Sequence, residues 1–168
     1  MFVGRKKELD ALNSRYTSNR KEFGVLYGRR RIGKSSILNE FLKGKNGILF
    51  QAKQDNSYGN LKSFSYEVDH LLDLPDTFVF ASWQHAFKSI QEYAKNERFV
   101  LVIDEYPYIV SQDSSFSSVL QEFIDHASDN MMVILSGSDI GFLQREIQNH
   151  ASPLYKRRTF EMEIKKMN

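Results

Sequence analysis

Hydrophobic residues along the chain alternate between short continuous runs and stripes with helical spacing. Continuous apolar runs are typical of parallel strands that are buried on both faces. Apolar residues three and four positions apart are typical of amphipathic helices. Apolar runs predict strands at 23–27, 47–53 (where the run is 48–50), 99–105 and 131–135. The stripes that predict helices lie at 6–12, 35–43, 60–72, 83–94, 116–127 and 140–147. This repeat predicts an α/β fold with a parallel sheet of about five strands and helices on both faces, in three layers.

The two ends of the chain differ from this pattern. Phe2 and Val3 predict an extended lead-in before a turn at Gly4. Residues 160–164 alternate between apolar and acidic side chains, which predicts a half-exposed strand at a sheet edge. Within the chain, Gly44 is expected to end the first helix after the loop in a left-handed cap, and Ser82 is a candidate N-cap. We assign the aromatic residues of the stripes to the core rather than to a base-binding surface.

Composition limits the class of protein further. The 168 residues, 41% of them hydrophobic, contain no linker-like segment, so we expect a single domain over 1–168. The absence of cysteine excludes disulfides, thiolate metal sites and thiol nucleophiles. The early charges and the strand-length apolar runs argue against a signal peptide or membrane span, so a cytoplasmic location without membrane contact is expected. The net charge of +2 leaves nucleic-acid binding open but unsupported.

Residues 28–35, Gly-Arg-Arg-Arg-Ile-Gly-Lys-Ser, fit the P-loop pattern G-x-x-x-x-G-K-[ST] without a mismatch. They lie between a predicted strand and a predicted helix, as the pattern requires. Glycines allow the backbone N–H groups to approach phosphate oxygens, and the helix N-terminus adds a positive pole. The predicted phosphate-binding residues are Gly28, Arg29, Arg30, Arg31, Ile32, Gly33, Lys34, Ser35 and Ser36. Lys34 is expected to contact the β- and γ-phosphates, and the Ser35 hydroxyl to bind Mg²⁺.

A second candidate element lies at the end of the apolar run 99–105. Asp104 is expected to hold Mg²⁺, and Glu105 to activate the water that attacks the γ-phosphate. The run 131–135 ends in hydroxyl residues, and we predict that Ser136 hydrogen-bonds the γ-phosphate or the water, with Ser138 as the alternative. Ser138 and Asp139 are equally well explained as the N-cap of the following helix.

The sequence lacks the residue patterns of a protein-built zinc site, a serine nucleophile and a guanine-binding site. The four histidines are dispersed without metal-ligand spacing, and no Gly-x-Ser-x-Gly nucleophile elbow occurs. A small GTPase usually has glycine where this chain has Pro107, and the segment 52–55, Ala-Lys-Gln-Asp, lacks the asparagine of a guanine-reading motif. Adenine, and therefore ATP with Mg²⁺, is the favoured nucleotide.

The Gly-Arg-Arg-Arg loop at 28–31 and the Asp-Glu-Tyr-Pro segment at 104–107, with residues 2–5, 135–138 and 152–159, carry a family resemblance. Together they resemble the archaeal-type ATPases of the STAND branch of AAA+-like P-loop proteins. The resemblance implies a sheet order of 5-1-4-3-2, with an additional strand between the strand of the phosphate loop and that of the acidic motif. It also implies that Arg5 lies near the adenine.

The same resemblance implies that Arg158 or Arg157 is an arginine finger, which a neighbouring subunit of a homo-oligomer would supply. This chain departs from the family pattern at Lys156, where glycine usually stands. Because the family usually continues after the last strand into a helical lid and a C-terminal domain, we expect residues 1–168 to be the nucleotide-binding core of a longer protein or a truncated relative. The implied function is slow, Mg²⁺-dependent ATP hydrolysis that switches an attached or partner module. The alternative is a nucleotide-gated binding module, in contact with nucleic acid or a toxin-like system, with negligible turnover.

Overall fold

The computed structural model describes residues 4–167, and these form a parallel sheet with helices on both faces. The elements in chain order are α1 (Lys6–Tyr16), β1 (Glu22–Tyr27), α2 (Lys34–Leu42), β2 (Gly47–Gln51), α3 (Ser57–Leu72), α4 (Trp83–Tyr93), β3 (Phe99–Asp104), α5 (Pro107–Gln112), α6 (Phe116–His126), β4 (Met131–Gly137), α7 (Ile140–Gln148) and β5 (Phe160–Glu163). The predicted lead-in at Phe2 and Val3 lies outside the described residues.

The sheet has five strands in the order β2-β3-β4-β1-β5, and every neighbouring pair is parallel. Read from the other edge, this is the predicted order 5-1-4-3-2. All residues of β1, β3 and β4 are buried, which confirms the prediction from their continuous apolar runs. The strands β2 and β5 form the two edges and are partly exposed, so the predicted edge position of β5 is confirmed. Because β4 separates β1 from β3, the loops that follow these three strands meet at one edge of the sheet.

The core lies in two layers, one on each face of the sheet. On one face, α1 and α2 bury Leu12, Leu38 and Phe41 against β3 and β4. On the other face, α3 to α7 surround a larger cluster in which aromatic rings pack edge to face, such as Phe50 with Phe64 at a centroid distance of 5.2 Å. The assignment of the helical aromatic residues to the core is therefore confirmed. Within residues 4–167, no helix combines the length and apolarity needed to cross a bilayer.

Element ends follow local chemistry. Gly44 has a φ of 74°, as expected of a left-handed cap, and the Ser82 side chain accepts a hydrogen bond from the N–H of His85. Asp139, rather than Ser138, caps α7 by accepting from the N–H of Phe142. The short helix α5 was not predicted, although Pro107 at its first turn is typical of a helix start.

Gly24 permits a close approach between β1 and the edge strand β5. A Cβ at Gly24 would lie 2.0 Å from the ring of Phe160, its partner in the β1–β5 register. We expect Gly24→Ala to lower the free energy of unfolding by about 1–3 kcal/mol, because the added methyl group must displace the ring. Urea denaturation followed by circular dichroism measures the change.

Gly141→Ala on α7 is the matched control, because its Cβ would meet the flexible end of Arg145, at 3.2 Å, and an Asp139 carboxylate oxygen at an ordinary contact distance of 4.0 Å. This control should not destabilise the protein, since alanine is the better helix former. In the double variant Gly24→Ala/Phe160→Ala the clash is removed, so its loss of stability should be smaller than the sum of the two single losses. Strict additivity of the two losses would contradict the proposed clash.

Candidate functional site

The P-loop connects β1 to α2 at the carboxyl edge of the sheet. The N–H of Gly28 donates to the carbonyl of Gly137 on β4 at 3.3 Å. A Cβ at Gly28 would lie 2.6 Å from the carbonyl oxygen of Ile164, so only glycine fits this position. Since Lys34, Ser35 and Ser36 form the first turn of α2, their N–H groups have no helical acceptor and are available to an anion.

Lys34 is buried although it is charged. Its Nζ donates to the carbonyl oxygens of Gly28, at 2.9 Å, and Arg29, at 3.2 Å. The ammonium group therefore lies within the curve of the loop, where the expected phosphate oxygens would offer it stronger, charged acceptors.

The Asp104 carboxylate at the end of β3 connects the first turn of α2 with β4. It is only 2% exposed. The Ser35 hydroxyl donates to its Oδ2 at 3.2 Å, and the Ser136 hydroxyl donates to its Oδ1 at 2.7 Å. The N–H of Glu105 also donates to Oδ1, at 3.0 Å. The structure thus brings together the predicted metal ligands Ser35 and Asp104.

The two serines of β4 and the following turn have different contacts. The fully buried Ser136 hydroxyl is engaged by Asp104, which differs from its expected contact with the γ-phosphate or water. The Ser138 hydroxyl lies 3.4 Å from Oε2 of Glu105. Ser136 therefore orients the Asp104 carboxylate. Ser138 is the serine beside Glu105, the residue predicted to activate water.

Glu105 has a left-handed backbone, with a φ of 55°. This conformation is uncommon for residues other than glycine, so the surrounding structure must hold it. The next residue, Tyr106, is fully buried, and its hydroxyl donates to Oε1 of Glu146 on α7 at 2.7 Å. Burial, reinforced by the nearby Glu146 carboxylate, raises the pKa of the Tyr106 phenol well above its ordinary value. The neutral Tyr106 thus anchors the chain directly after Glu105.

These residues surround an open cavity of about 230 Å³. Its lining consists of Arg30, Arg31, Lys34, Ser35, Gln51, Asp104, Glu105 and Tyr108. Two of them, Gln51 and Tyr108, were not predicted. Gln51 follows the apolar part of a predicted strand, and this position at a carboxyl edge was the available signal. Tyr108 reaches the cavity only because α5 forms.

The oxygen atoms of Ser35 and Asp104 fit a hard divalent cation such as Mg²⁺, because a hydroxyl and a carboxylate meet at the phosphate loop. Among residues 4–167 there is no cluster of three or more acidic, histidine or cysteine side chains that would bind a metal alone. Phosphate oxygens and water would complete the coordination, as is usual for Mg²⁺ with a nucleotide.

Arg5 contacts the loop from outside the cavity. Its guanidinium donates to the carbonyl oxygens of Ile32, at 2.8 Å, and Lys165, at 2.7 Å, and lies 3.5 Å from the Glu8 carboxylate. Arg5 therefore ties the phosphate loop to the segment after β5, and its contact with adenine stays a prediction.

Arg157 and Arg158 do not join the cluster. Arg157 forms a paired salt bridge with Asp125, with both N–O distances at 2.9 Å, and this bond lowers the pKa of the carboxyl. Arg158 lies 3.8 Å from Glu161. Because the register places Phe160 opposite Gly24, Arg158 lies near the start of β1, about 20 Å along the strand from the loop at about 3.3 Å per residue. A finger role for Arg158 stays a prediction, and in this conformation it requires a second copy of the chain.

The fold and the site define a P-loop nucleotide-binding domain. The chain belongs to the family of ATPase domains found predominantly in Archaea, whose family model matches residues 2–168. An uncharacterized protein of Methanocaldococcus jannaschii is 29% identical over 167 residues, which cover 98% of this chain and 36% of the relative. An uncharacterized ATP-binding protein of the same organism is 44% identical over 45 residues, which cover 27% of this chain and 76% of the relative.

Solved structures share the fold. The Walker-type ATPase of Pyrococcus abyssi superposes with a TM-score of 0.77 at 21% identity, over 99% of this chain and 55% of that protein. The ORC1 protein of Aeropyrum pernix, solved in complex with DNA, gives a TM-score of 0.73 at 13% identity, over 100% of this chain and 47% of that protein. The chain thus spans about a third to half the length of the first relative and of these two structures.

Lys34 gives the most direct test of the phosphate site. We expect Lys34→Ala to abolish measurable ATP binding, because the loop loses the ammonium that would contact the β- and γ-phosphates. Isothermal titration calorimetry with Mg²⁺ and ATP measures the affinity. Lys62→Ala, an exposed lysine on α3, is the control and should bind like the native protein. Equal affinity in the two variants would reject the phosphate-site assignment.

Proposed function

We propose that this domain binds ATP with Mg²⁺ and slowly hydrolyses the β–γ phosphoanhydride. The observation that carries the proposal is the 3.2 Å hydrogen bond between Ser35 of the phosphate loop and Asp104 of the acidic strand. It places hydroxyl and carboxylate ligands together, with Lys34 and Glu105 lining the same cavity. Membership in an ATPase-domain family supports the proposal.

The residues divide the reaction between them. Lys34 and the N–H groups of the first turn of α2 bind the phosphate oxygens. Mg²⁺ held by Ser35 and Asp104 would neutralise phosphate charge. Glu105 accepts the proton of the attacking water as the water oxygen bonds to the γ-phosphorus. The bond from the γ-phosphorus to the bridging oxygen breaks, and ADP leaves with that electron pair.

Slow turnover follows from contacts that must rearrange. The Lys34 ammonium is engaged by loop carbonyls, and the Ser138 hydroxyl lies beside the Glu105 carboxylate. ATP must replace the contacts of Lys34 with the loop carbonyls, and the attacking water must compete with Ser138 for the Glu105 carboxylate. We therefore propose, in line with the STAND resemblance, a domain whose nucleotide state switches an attached or partner module.

A module that binds ATP with negligible turnover is the competing proposal. The Ser138–Glu105 contact favours this second proposal, because a carboxylate that already accepts a hydrogen bond is a poorer base for water. One structural neighbour was solved with DNA, which makes DNA a proposed partner to test. Phosphate release measured with and without duplex DNA separates the proposals: an ATPase releases phosphate over time, and a binding module does not under either condition.

Glu105 provides the sharpest test of hydrolysis. We expect Glu105→Gln to lower the rate of phosphate release by about a hundredfold or more, because the amide keeps the shape of the side chain but cannot accept the proton. ATP affinity by calorimetry should change little. The control is Glu122→Gln, which changes an exposed glutamate on α6 and should leave the rate unaltered. A near-native rate in Glu105→Gln would exclude Glu105 as the base.

A further inference from the structure

The second arginine of the phosphate loop, Arg30, lines the candidate site together with Lys34 and Glu105. We propose that Arg30 is a catalytic residue that neutralises charge on the transferring γ-phosphoryl group of the ATP bound to its own chain. The proposal rests on the proposed hydrolysis and deepens it, because it names the cation that hydrolysis requires and the chain that supplies it.

A specific contact holds the Arg30 guanidinium. Its Nη2 donates to the hydroxyl of Tyr108 at 2.8 Å, and both residues line the cavity that contains Lys34 and Glu105. The N–H of Tyr108 in turn donates to the carbonyl oxygen of Glu105 at 3.0 Å. Tyr108 thus lies one turn after the glutamate, and its phenol holds Arg30 at the wall of the cavity that Glu105 also lines.

The charge of Arg30 is available to a ligand. Among residues 4–167, no carboxylate oxygen lies within 4.0 Å of its guanidinium nitrogens. Arg157, by contrast, donates two hydrogen bonds to the Asp125 carboxylate, one to each oxygen. A hydrogen bond donated to a phenol oxygen orients the guanidinium without pairing it with a negative charge, so within the described residues no carboxylate compensates the charge of Arg30.

Arg30 and Lys34 have different surroundings in the loop. Lys34 is buried against the carbonyls of Gly28 and Arg29, whereas Arg30 is exposed and reaches across the cavity to α5. During hydrolysis negative charge is spread over the equatorial oxygens of the γ-phosphoryl group and develops on the departing bridging oxygen. A planar guanidinium binds two such oxygens at once, which a lysine cannot do with the same geometry.

An arginine in this position removes the need for a neighbouring subunit. Arg158 lies about 20 Å along the sheet from its own loop and would act only across an interface. Arg30 belongs to the loop itself. Because Arg30 acts on ATP bound to its own chain, we expect a monomer to hydrolyse ATP, with a specific activity that does not depend on protein concentration.

Steady-state phosphate release by Arg30→Ala tests the proposal. We expect kcat to fall by about a hundredfold or more, because an arginine at the transferring group contributes at least that much in related phosphoryl transfers, while KM changes little. Arg30→Lys should recover only part of the loss. The matched control is Arg145→Ala, an exposed arginine on α7. Thermal melting followed by circular dichroism checks that each variant is folded.

Tyr108 is a positioning residue in this proposal, and its test uses a double-mutant cycle. Tyr108→Phe should lower kcat less than Arg30→Ala does and leave KM unchanged. In Arg30→Ala/Tyr108→Phe the rate should equal that of Arg30→Ala alone, since the phenol then has no guanidinium to hold. Tyr58→Phe, which changes an exposed tyrosine on α3, is the control. Additive losses in the double variant would separate Tyr108 from Arg30 and overturn its positioning role.

Mixing experiments distinguish the source of the arginine. Arg30→Ala mixed with Lys34→Ala should show no recovery of activity, because each site lacks a residue of its own chain. Recovery on mixing would overturn the proposal, as would a rise in KM with unchanged kcat, which assigns Arg30 to ground-state binding alone. Loss of activity in Arg158→Ala, restored by mixing with Lys34→Ala, would also overturn it in favour of a finger in trans.

The test keeps this proposal separate from the proposed hydrolysis. If the native protein releases no phosphate, or if Glu105→Gln releases it at the native rate, the hydrolytic mechanism fails first. If the native rate depends on Glu105 and Arg30→Ala retains it, only the role of Arg30 fails.

Discussion

The buried carboxylate of Asp104 is the constraint on which the candidate site depends. A carboxylate that is almost completely removed from water is stable only when hydrogen bonds satisfy it. Here they come from Ser35 after the phosphate loop, from Ser136 on β4 and from the backbone of Glu105. One side chain thus sets the distances among the phosphate loop, the acidic strand and the strand between them, and the cavity is a consequence of that arrangement.

Three residues of the phosphate loop and the acidic motif have a left-handed backbone. Arg31, Gly33 and Glu105 all have positive φ, at 63°, 105° and 55°. For the two residues that are not glycine this conformation costs about 1–3 kcal/mol each, and it persists only where neighbouring contacts hold it. At Glu105 these contacts are the hydrogen bond to Asp104 and the buried ring and hydroxyl of Tyr106. With this backbone conformation Glu105 lines the cavity together with residues of the phosphate loop, where the proposed reaction needs it.

Predictability from sequence differs between the fold and the site. The strands β1, β3 and β4 are buried along their whole length, and such strands need continuous apolar runs, which are visible in the sequence. The alternating residues of β5 are typical of a partly exposed edge strand, so these strands could be predicted from hydrophobicity. Its order came from family resemblance rather than from the pattern. The roles of Ser136 and Ser138 were not readable, because two hydroxyls two residues apart look alike in a sequence. Only the packing of β4 beside β3 directs Ser136 to Asp104 and leaves Ser138 beside Glu105.

The sequence by itself determined the phosphate loop and the acidic strand end, since each is encoded in contiguous residues whose chemistry is local. Motifs spread over the whole chain determined its membership in a family of ATPase domains. Tertiary structure decided which distant groups meet. Arg5 and Ile32 are far apart in the chain, as are Arg30 and Tyr108, and neither pair leaves a local pattern. It also decided that Arg158 lies near the start of β1 rather than at the cavity, because the parallel register of β5 places the residues before Phe160 at the opposite edge of the sheet.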